Sequence, residues 1–181
     1  GAVTSTLSDQ WQDYIKCDSL SDDVLMVKMT TPSGQITSKS RIQVAEGQVA
    51  IIFESGKILD ATAEAGIYTF DGSTSPSIFA GQFGDIFKEA FERFKYNGTP
   101  AKEQAIYYVN IKEIKDNKFG SSNAVTYRDP VYREIYIRYH GNYSFRISNP
   151  IVFFEKIAGN VSDKYTREDL MAQADAEFSA C

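Results

Sequence analysis

The sequence predicts an α+β domain in which a mainly antiparallel, mixed sheet is covered by packed helices. Three observations lead to this fold class. Residues 135–148 alternate as one long strand, residues 42–70 contain several short β-prone runs, and residues 83–94 repeat at a helical period. The absence of long crossover segments between the short runs favours antiparallel pairing, because parallel strands need longer connections.

The strand at residues 135–148 sorts its side chains onto two faces at a period of two, which only an extended chain produces. Asn149-Pro150 ends the pairing, and residues 151–158 resume at a helical period. We therefore expect a strand with one face on a core, followed by a helix. The face expected on the core carries Ile135, Ile137, Tyr139, Gly141, Tyr143, Phe145 and Ile147.

Short strands separated by glycine turns predict an antiparallel meander in the first half of the chain. One of them, residues 49–53, is apolar without alternation, so we expect it to be covered on both faces. The predicted strands before residue 120 are residues 24–29, 42–44, 48–54, 57–61, 67–70 and 104–110.

The chain is divided by its patterns into an N-terminal amphipathic helix at residues 1–20, a central domain at residues 21–165 and the start of a C-terminal helix at residues 166–181. The last segment begins with Thr166 three residues before Asp169, the spacing of a capping box. We expect its helix to continue beyond residue 181, and the Gly-Ala start suggests a piece of a longer protein.

The N-terminal segment has apolar side chains at helical spacing across residues 3–16. Such a helix either lies on a membrane surface or docks on the domain. The polar face of this helix carries Asp9 and Asp13 but only one cation, Lys16. Its attraction to anionic lipid would therefore be weak, which favours docking on the domain. The candidate membrane or partner contacts are Leu7, Trp11 and Ile15.

The helix predicted at residues 83–94 carries Phe83, Phe87 and Phe91 on one face and charged side chains on the other. An apolar stripe of this kind is usually packed on a core. The alternative is that the stripe binds a partner, in which case the chain is a soluble protein-binding module using this helix.

Composition excludes several classes of function. A net charge of −5 and a pI near 5.0 argue against a general nucleic-acid binder. No apolar run approaches the roughly 20 residues that cross a bilayer. Residues 1–16 have neither the basic start nor the apolar middle of a cleavable signal. The two cysteines, Cys17 and Cys181, have no spacing that demands a disulfide, and reduced thiols favour a cytoplasmic setting.

The sequence predicts neither catalysis nor a cofactor or metal site. His140 is the only histidine, and Ser144 on the same strand would lie roughly 13 Å away. Asp129 could approach from a preceding turn, but no nucleophile elbow or phosphate loop is present. We expect His140 to be a solvated side chain on a strand face.

Two stretches together resemble the SPFH or band 7 family, which includes stomatin, prohibitin and flotillin. The first is VAEGQVAIIFESGKI at residues 44–58 followed by EAGIYTF at residues 64–70, with Ala65 where the family usually has proline. The second is YSFRISNP at residues 143–150, similar to the family's strand that ends in Asp-Pro or Asn-Pro before a helix.

Two further segments, NAVTYRDP at residues 123–130 and IYYVN at residues 106–110, resemble the bacterial subgroup labelled virion core protein-like or YdjI-like. The resemblance implies a non-enzymatic scaffold that forms homo-oligomers when full length, associates peripherally with the inner face of the cell membrane and organises other proteins. The subgroup implies phage shock protein A-like partners in envelope stress. It maps no catalytic residue onto this chain.

Overall fold

The chain consists of two compact units, which are described separately. The computed structural model describes residues 14–70, 79 and 103–179. The main unit comprises residues 1–111 and 147–181, and the arm comprises Lys112–Arg146.

The described main unit is mostly strand, with two α-helices. Its strands are β1 (Tyr14–Ile15), β2 (Val24–Met29), β3 (Arg41–Val44), β4 (Gln48–Glu54), β5 (Lys57–Thr62), β6 (Gly66–Thr69), β7 (Gln104–Asn110) and β12 (Lys164–Thr166). The α-helices are α1 (Pro150–Ile157) and α2 (Arg167–Ser179), and a 3-10 turn at Ala158–Asn160 follows α1.

Five strands form the larger sheet in the order β12-β2-β7-β4-β5, and every neighbouring pair is antiparallel. The longest pairing joins β4 to β7 over seven residues of each strand. The strands predicted at residues 24–29, 48–54 and 104–110 are confirmed with the same bounds.

The smaller sheet has the order β1-β3-β6, with β1 parallel to β3 and β3 antiparallel to β6. The prediction of a simple meander over residues 42–70 is therefore wrong. The predicted strands exist, but β4 and β5 belong to the larger sheet. In sequence they lie between β3 and β6, which pair with each other in the smaller sheet. A pairing of that kind depends on contacts distant in sequence, which turn signals do not record.

The two sheets share a buried core. In β4, Ala50 and Ile52 belong to this core, and β7 contributes Ile106 and Tyr108 opposite them in register. The smaller sheet contributes its own buried residues, and Cys17 packs in the same cluster as a free thiol. These residues from the smaller sheet are Ile15, Ile42 and Val44.

Helix α1 covers the opposite face of the larger sheet. Phe154 is fully buried, and its ring meets Phe53 at 5.6 Å and Tyr107 at 4.7 Å between centroids. Successive residues of a strand point to opposite faces. The apolar residues of β4 therefore meet the smaller sheet on one side and the α1 side on the other, which confirms the prediction for residues 49–53.

Both helices begin with the caps that the sequence indicates. The Asn149 side chain accepts a hydrogen bond from the Val152 amide at 3.1 Å, and Pro150 occupies the first turn of α1. At α2 the Asp169 amide donates to Thr166 Oγ1 at 3.2 Å, while the Thr166 amide donates to Asp169 Oδ2 at 2.8 Å. The capping box is confirmed.

The helix predicted over residues 3–16 is wrong at residues 14–15. Tyr14–Ile15 is a strand, and the Ile15 side chain is buried in the core between the sheets. Ile15 is apolar because it packs on the core as a strand residue. Its spacing from the earlier apolar residues therefore did not indicate a helix at this position. Residues 1–13 lie outside the described part of the chain.

Candidate functional site

The arm is a two-stranded ribbon made of two consecutive hairpin segments. The first segment pairs β8 (Ile114–Gly120) with β11 (His140–Phe145), and the second pairs β9 (Val125–Asp129) with β10 (Arg133–Ile137). The two segments meet where Ser121 donates its amide to the Tyr139 carbonyl at 2.9 Å. The strand predicted across residues 135–148 is thus β10 and β11, interrupted at residues 138–139.

The expectation of a half-buried strand at residues 135–148 is wrong. A two-stranded ribbon has no second layer of its own, so alternation in it does not imply a buried face. Ile137 is 41% exposed and Tyr139 is 51% exposed, although both were expected on a core. Tyrosine is found both in buried and in exposed positions, so the alternating pattern did not show whether this strand face is buried.

Exposed apolar side chains are concentrated in the arm. Among the described residues, twelve large hydrophobic side chains are exposed, and nine of them belong to these 35 residues. Two are at the turn of the second segment, where Val131 is 78% exposed and Tyr132 is 76% exposed. The other seven are Phe119, Val125, Tyr127, Tyr136, Ile137, Tyr139 and Tyr143.

The second segment has two chemically different faces. Directly opposite residues of an antiparallel pair share a face. Val125 is opposite Ile137 and Tyr127 is opposite Ile135, which makes one face apolar. The other face carries the pair Thr126 and Tyr136 and the pair Arg128 and Glu134. The last pair approaches to 4.0 Å between well-exposed groups, a contact that contributes little to stability.

The first segment has an aromatic row on one face. The Phe119 ring lies over Gly141, the residue opposite it, so closely that a Cβ there would be 2.7 Å from two ring atoms. Tyr143 continues the row at 6.2 Å from Phe119, and Phe145 follows at 6.3 Å between centroids. Glycine at residue 141 therefore lets the phenyl ring cover the ribbon backbone.

The turn at the end of the arm is held by one carboxylate. Asp129 accepts hydrogen bonds from the amides of Tyr132 at 2.9 Å and Val131 at 2.8 Å. These two backbone donors lower the pKa of Asp129, the Tyr132 amide most. A shallow concavity beside the turn is lined by Arg128, Asp129, Tyr132, Arg133 and Glu134.

The arm and the main unit carry opposite net charge. The arm contains seven lysines and arginines and four acidic residues, so its net charge is +3. The net charge of the whole chain is −5, which leaves −8 for the main unit. Charge of this kind acts over about a Debye length, roughly 10 Å at 0.1 M salt. The arm is thus a basic, aromatic element attached to an acidic domain.

The candidate catalytic residues are not assembled. His140 is exposed on β11 opposite Gly120, and the Ser144 hydroxyl donates to Glu113 at 2.7 Å. Asp129 is occupied with the turn amides at the other end of the arm. Within the part of the chain that the structure describes, no group of three or more metal-ligating side chains is brought together.

Only one of the predicted contact residues lies in the described part of the chain. Ile15 is 8% exposed, so its side chain packs in the core and offers no membrane or partner contact. In residues 14–70, 79 and 103–179 no helix has the length and apolar character needed to cross a bilayer. The others, Leu7, Trp11, Phe83, Phe87 and Phe91, lie outside the described residues.

Sequence reasoning missed the arm as a separate exposed unit. Two signals in residues 112–146 could have indicated it. The segment carries seven of the chain's 23 Phe and Tyr residues, and its net charge is opposite in sign to that of the rest. A segment of high aromatic content that is also basic is unusual for the interior of an acidic domain.

Comparison with known proteins agrees with this architecture. The model of the SPFH domain-Band 7 family matches residues 28–178. The chain is also 23% identical over 167 residues to the uncharacterized protein YdjI of Bacillus subtilis (strain 168). That match covers 92% of this chain and 47% of YdjI, so the chain spans about half the length of this relative.

No solved structure matches the chain. The family match extends from β2 into α2 and includes the whole arm, which places both units within one family domain. The similarity to YdjI is consistent with the subgroup that the sequence motifs resemble. This chain is a member of the SPFH domain-Band 7 family.

Proposed function

We propose that this chain is a non-enzymatic scaffold that assembles with copies of itself and holds other proteins at the inner face of the cell membrane. The observation that carries the proposal is the arm, which exposes nine large hydrophobic side chains on a ribbon with no core of its own. Exposed apolar surface of this extent is typical of protein or membrane contacts. Membership of the SPFH domain-Band 7 family supports a scaffold-like role.

The main unit fits a structural role. Its polar groups are used to hold the sheets together, as in the Tyr108 hydroxyl, which donates to the Gln43 carbonyl at 2.9 Å and lies 3.3 Å from the Ile15 carbonyl. Burial raises the pKa of Tyr108, so this hydroxyl stays protonated and keeps its role as a donor. The Lys28 ammonium is likewise paired, with Glu103 at 2.9 Å.

The partners and the membrane setting are proposed from the family resemblance. By resemblance to the YdjI-like subgroup, the recruited protein is phage shock protein A-like and the setting is the envelope-stress response at the cytoplasmic side of the membrane. The proposal includes an α+β domain with packed helices, which is supported by α1, whose Phe154 is buried against the larger sheet.

Assembly and membrane binding are tested together by light scattering of the purified chain, alone and with vesicles of anionic or neutral lipid. We expect particles several times larger than the 20.3 kDa monomer, and co-flotation with anionic vesicles. A protein that stays monomeric at near-physiological concentration, both alone and with vesicles, would overturn the proposal. Co-purification of a phage shock protein A-like protein from cells tests the partner separately.

A further inference from the structure

The positive charge of the arm is largely uncompensated within the described residues. Lys115 and Arg128 have acidic neighbours in the arm, at 3.9 Å and 4.0 Å. The structure gives no acidic partner, among the residues it describes, to four other cations. These are Lys118, Arg133, Arg138 and Arg146.

The main unit has a complementary acidic edge where β12 borders the larger sheet. Among the described strands, β12 is at the outside of the sheet order and pairs with β2 alone. The β12–β2 pairing and the 2.7 Å contact between Arg167 and Asp23 bring two acidic segments of the chain together. The acidic edge comprises Asp22, Asp23, Asp163, Glu168 and Asp169, against Lys164 and Arg167.

Three carboxylates of the acidic edge are exposed and have no cationic partner in the described part of the chain. They are Asp22, Asp163 and Glu168. Asp23 is paired with Arg167, and Asp169 accepts hydrogen bonds in the capping box. The edge therefore keeps a net negative charge that the chain does not neutralise locally, as the arm keeps a positive one.

We propose that the arm of one copy docks on the acidic edge of a second copy, an inference that rests on the proposed self-assembly. Opposite charge selects the partner surface, and the exposed aromatic and aliphatic side chains of the arm supply the area that is removed from water. Two arms facing each other would instead bring like charges together. Charge complementarity thus favours contact between different surfaces of the two copies.

Contact between two different surfaces has a structural consequence. Each copy offers one arm and one acidic edge, so every copy can use both, either reciprocally in a closed dimer or successively in a larger ring or an open filament. The assembly should also weaken as salt rises, because the exposed charges are screened.

The docking is tested with two charge-reversed variants of the chain. Variant A carries Lys118→Glu and Arg138→Glu in the arm, and variant B carries Asp163→Lys and Glu168→Lys on the acidic edge. Each variant alone sets like charges against each other, so we expect its assembly to weaken about tenfold or more at about 0.1 M salt. An equimolar mixture restores assembly, because each reversed surface meets its complement on the other variant.

Controls separate this inference from the proposed function. Lys57→Glu with Lys156→Glu reverses two exposed main-unit charges elsewhere and should leave assembly unchanged. Thermal melts verify that every variant is folded. A wild-type chain that is monomeric overturns the proposed self-assembly, and the docking with it. Normal assembly of wild type together with normal assembly of A or B overturns the docking alone.

Two further outcomes also overturn the docking. In the first outcome, assembly of variant A is weakened, variant B assembles like wild type, and the mixture assembles no better than A alone. That result would show that the arms of two copies contact each other. If assembly is unaffected and only A loses binding to anionic vesicles, the arm binds a bilayer surface. Restoration in the mixture, with both variants weak alone, is the result that only docking of arm on acidic edge produces.

Discussion

The main unit and the arm place their β-strands in different environments, buried in one and exposed in the other. In the main unit, β4 is covered on both faces, and even the polar Gln48 is buried and donates to the Cys17 carbonyl at 2.9 Å. In the arm, β9 and β10 alternate between apolar and polar side chains across their pairing, and most of these side chains are exposed. The difference teaches that alternation records strand geometry, while burial depends on whether a second layer is present.

The largest expected effect is loss of the ring that joins α1 to the larger sheet. Phe154→Ala removes a fully buried side chain packed on Phe53 and Tyr107. We therefore expect the free energy of unfolding to fall by about 3–5 kcal/mol. The matched variant in the arm is Tyr136→Ala, where a 70% exposed side chain should cost less than about 0.5 kcal/mol. Urea denaturation measures both, and equal losses would contradict the contrast.

A smaller effect is expected from the hydroxyl between the sheets. Tyr108→Phe keeps the ring but removes the donor to the Gln43 carbonyl, so about 1–3 kcal/mol of stability should be lost. Tyr68→Phe is the control, since its hydroxyl donates to Glu64 at the surface. Urea midpoints compare the two, and a Tyr108→Phe midpoint equal to that of Tyr68→Phe would show that the buried bond adds nothing.

The cap of α1 should contribute about 1 kcal/mol. Asn149→Ala removes the acceptor for the Val152 amide, whereas Ser148→Ala alters a neighbouring exposed residue with no such bond. Hydrogen exchange of the first-turn amides of α1 should quicken in the first variant alone. Unchanged exchange would mean that packing of Phe154, and not the cap, holds the end of the helix.

The smallest effect concerns the turn of the arm and its dependence on pH. The folded pKa of Asp129 is lowered from 3.8, so the ionised carboxylate favours the turn. Its contribution is complete above the unfolded pKa and is lost as pH falls through the lower, folded pKa. NMR shifts of the Val131 and Tyr132 amides should follow this titration in wild type and lose it in Asp129→Asn. A titration that persists in the variant would assign it to another group.

Much of the main unit could be predicted because its signals are local. The continuous apolar run of β4, the Asn149-Pro150 entry to α1 and the Thr166 capping box each lie within a few residues, and each was read correctly. The pairing of β3 with β6 was missed, because it depends on which strands meet across the β4–β5 insertion.

The candidate site was harder to predict for a different physical reason. The face of Ile137, Tyr139 and Tyr143 is apolar enough for a core, and nothing in the local pattern states that the second layer is absent. His140 attracted attention as the only histidine, but the charge and aromatic content of the whole segment were the more informative quantities.

The pairing of β8 with β11 makes the arm a length-adjustable insertion. Because Ile114 and Phe145 are cross-strand neighbours, the chain leaves and returns at one place, and residues can be removed in matched numbers from both strands. Deleting two residues from each strand would shorten the ribbon by about 7 Å and leave every remaining side chain on its original face. Relatives could therefore vary their reach in such steps while the main unit keeps the same hydrophobic core.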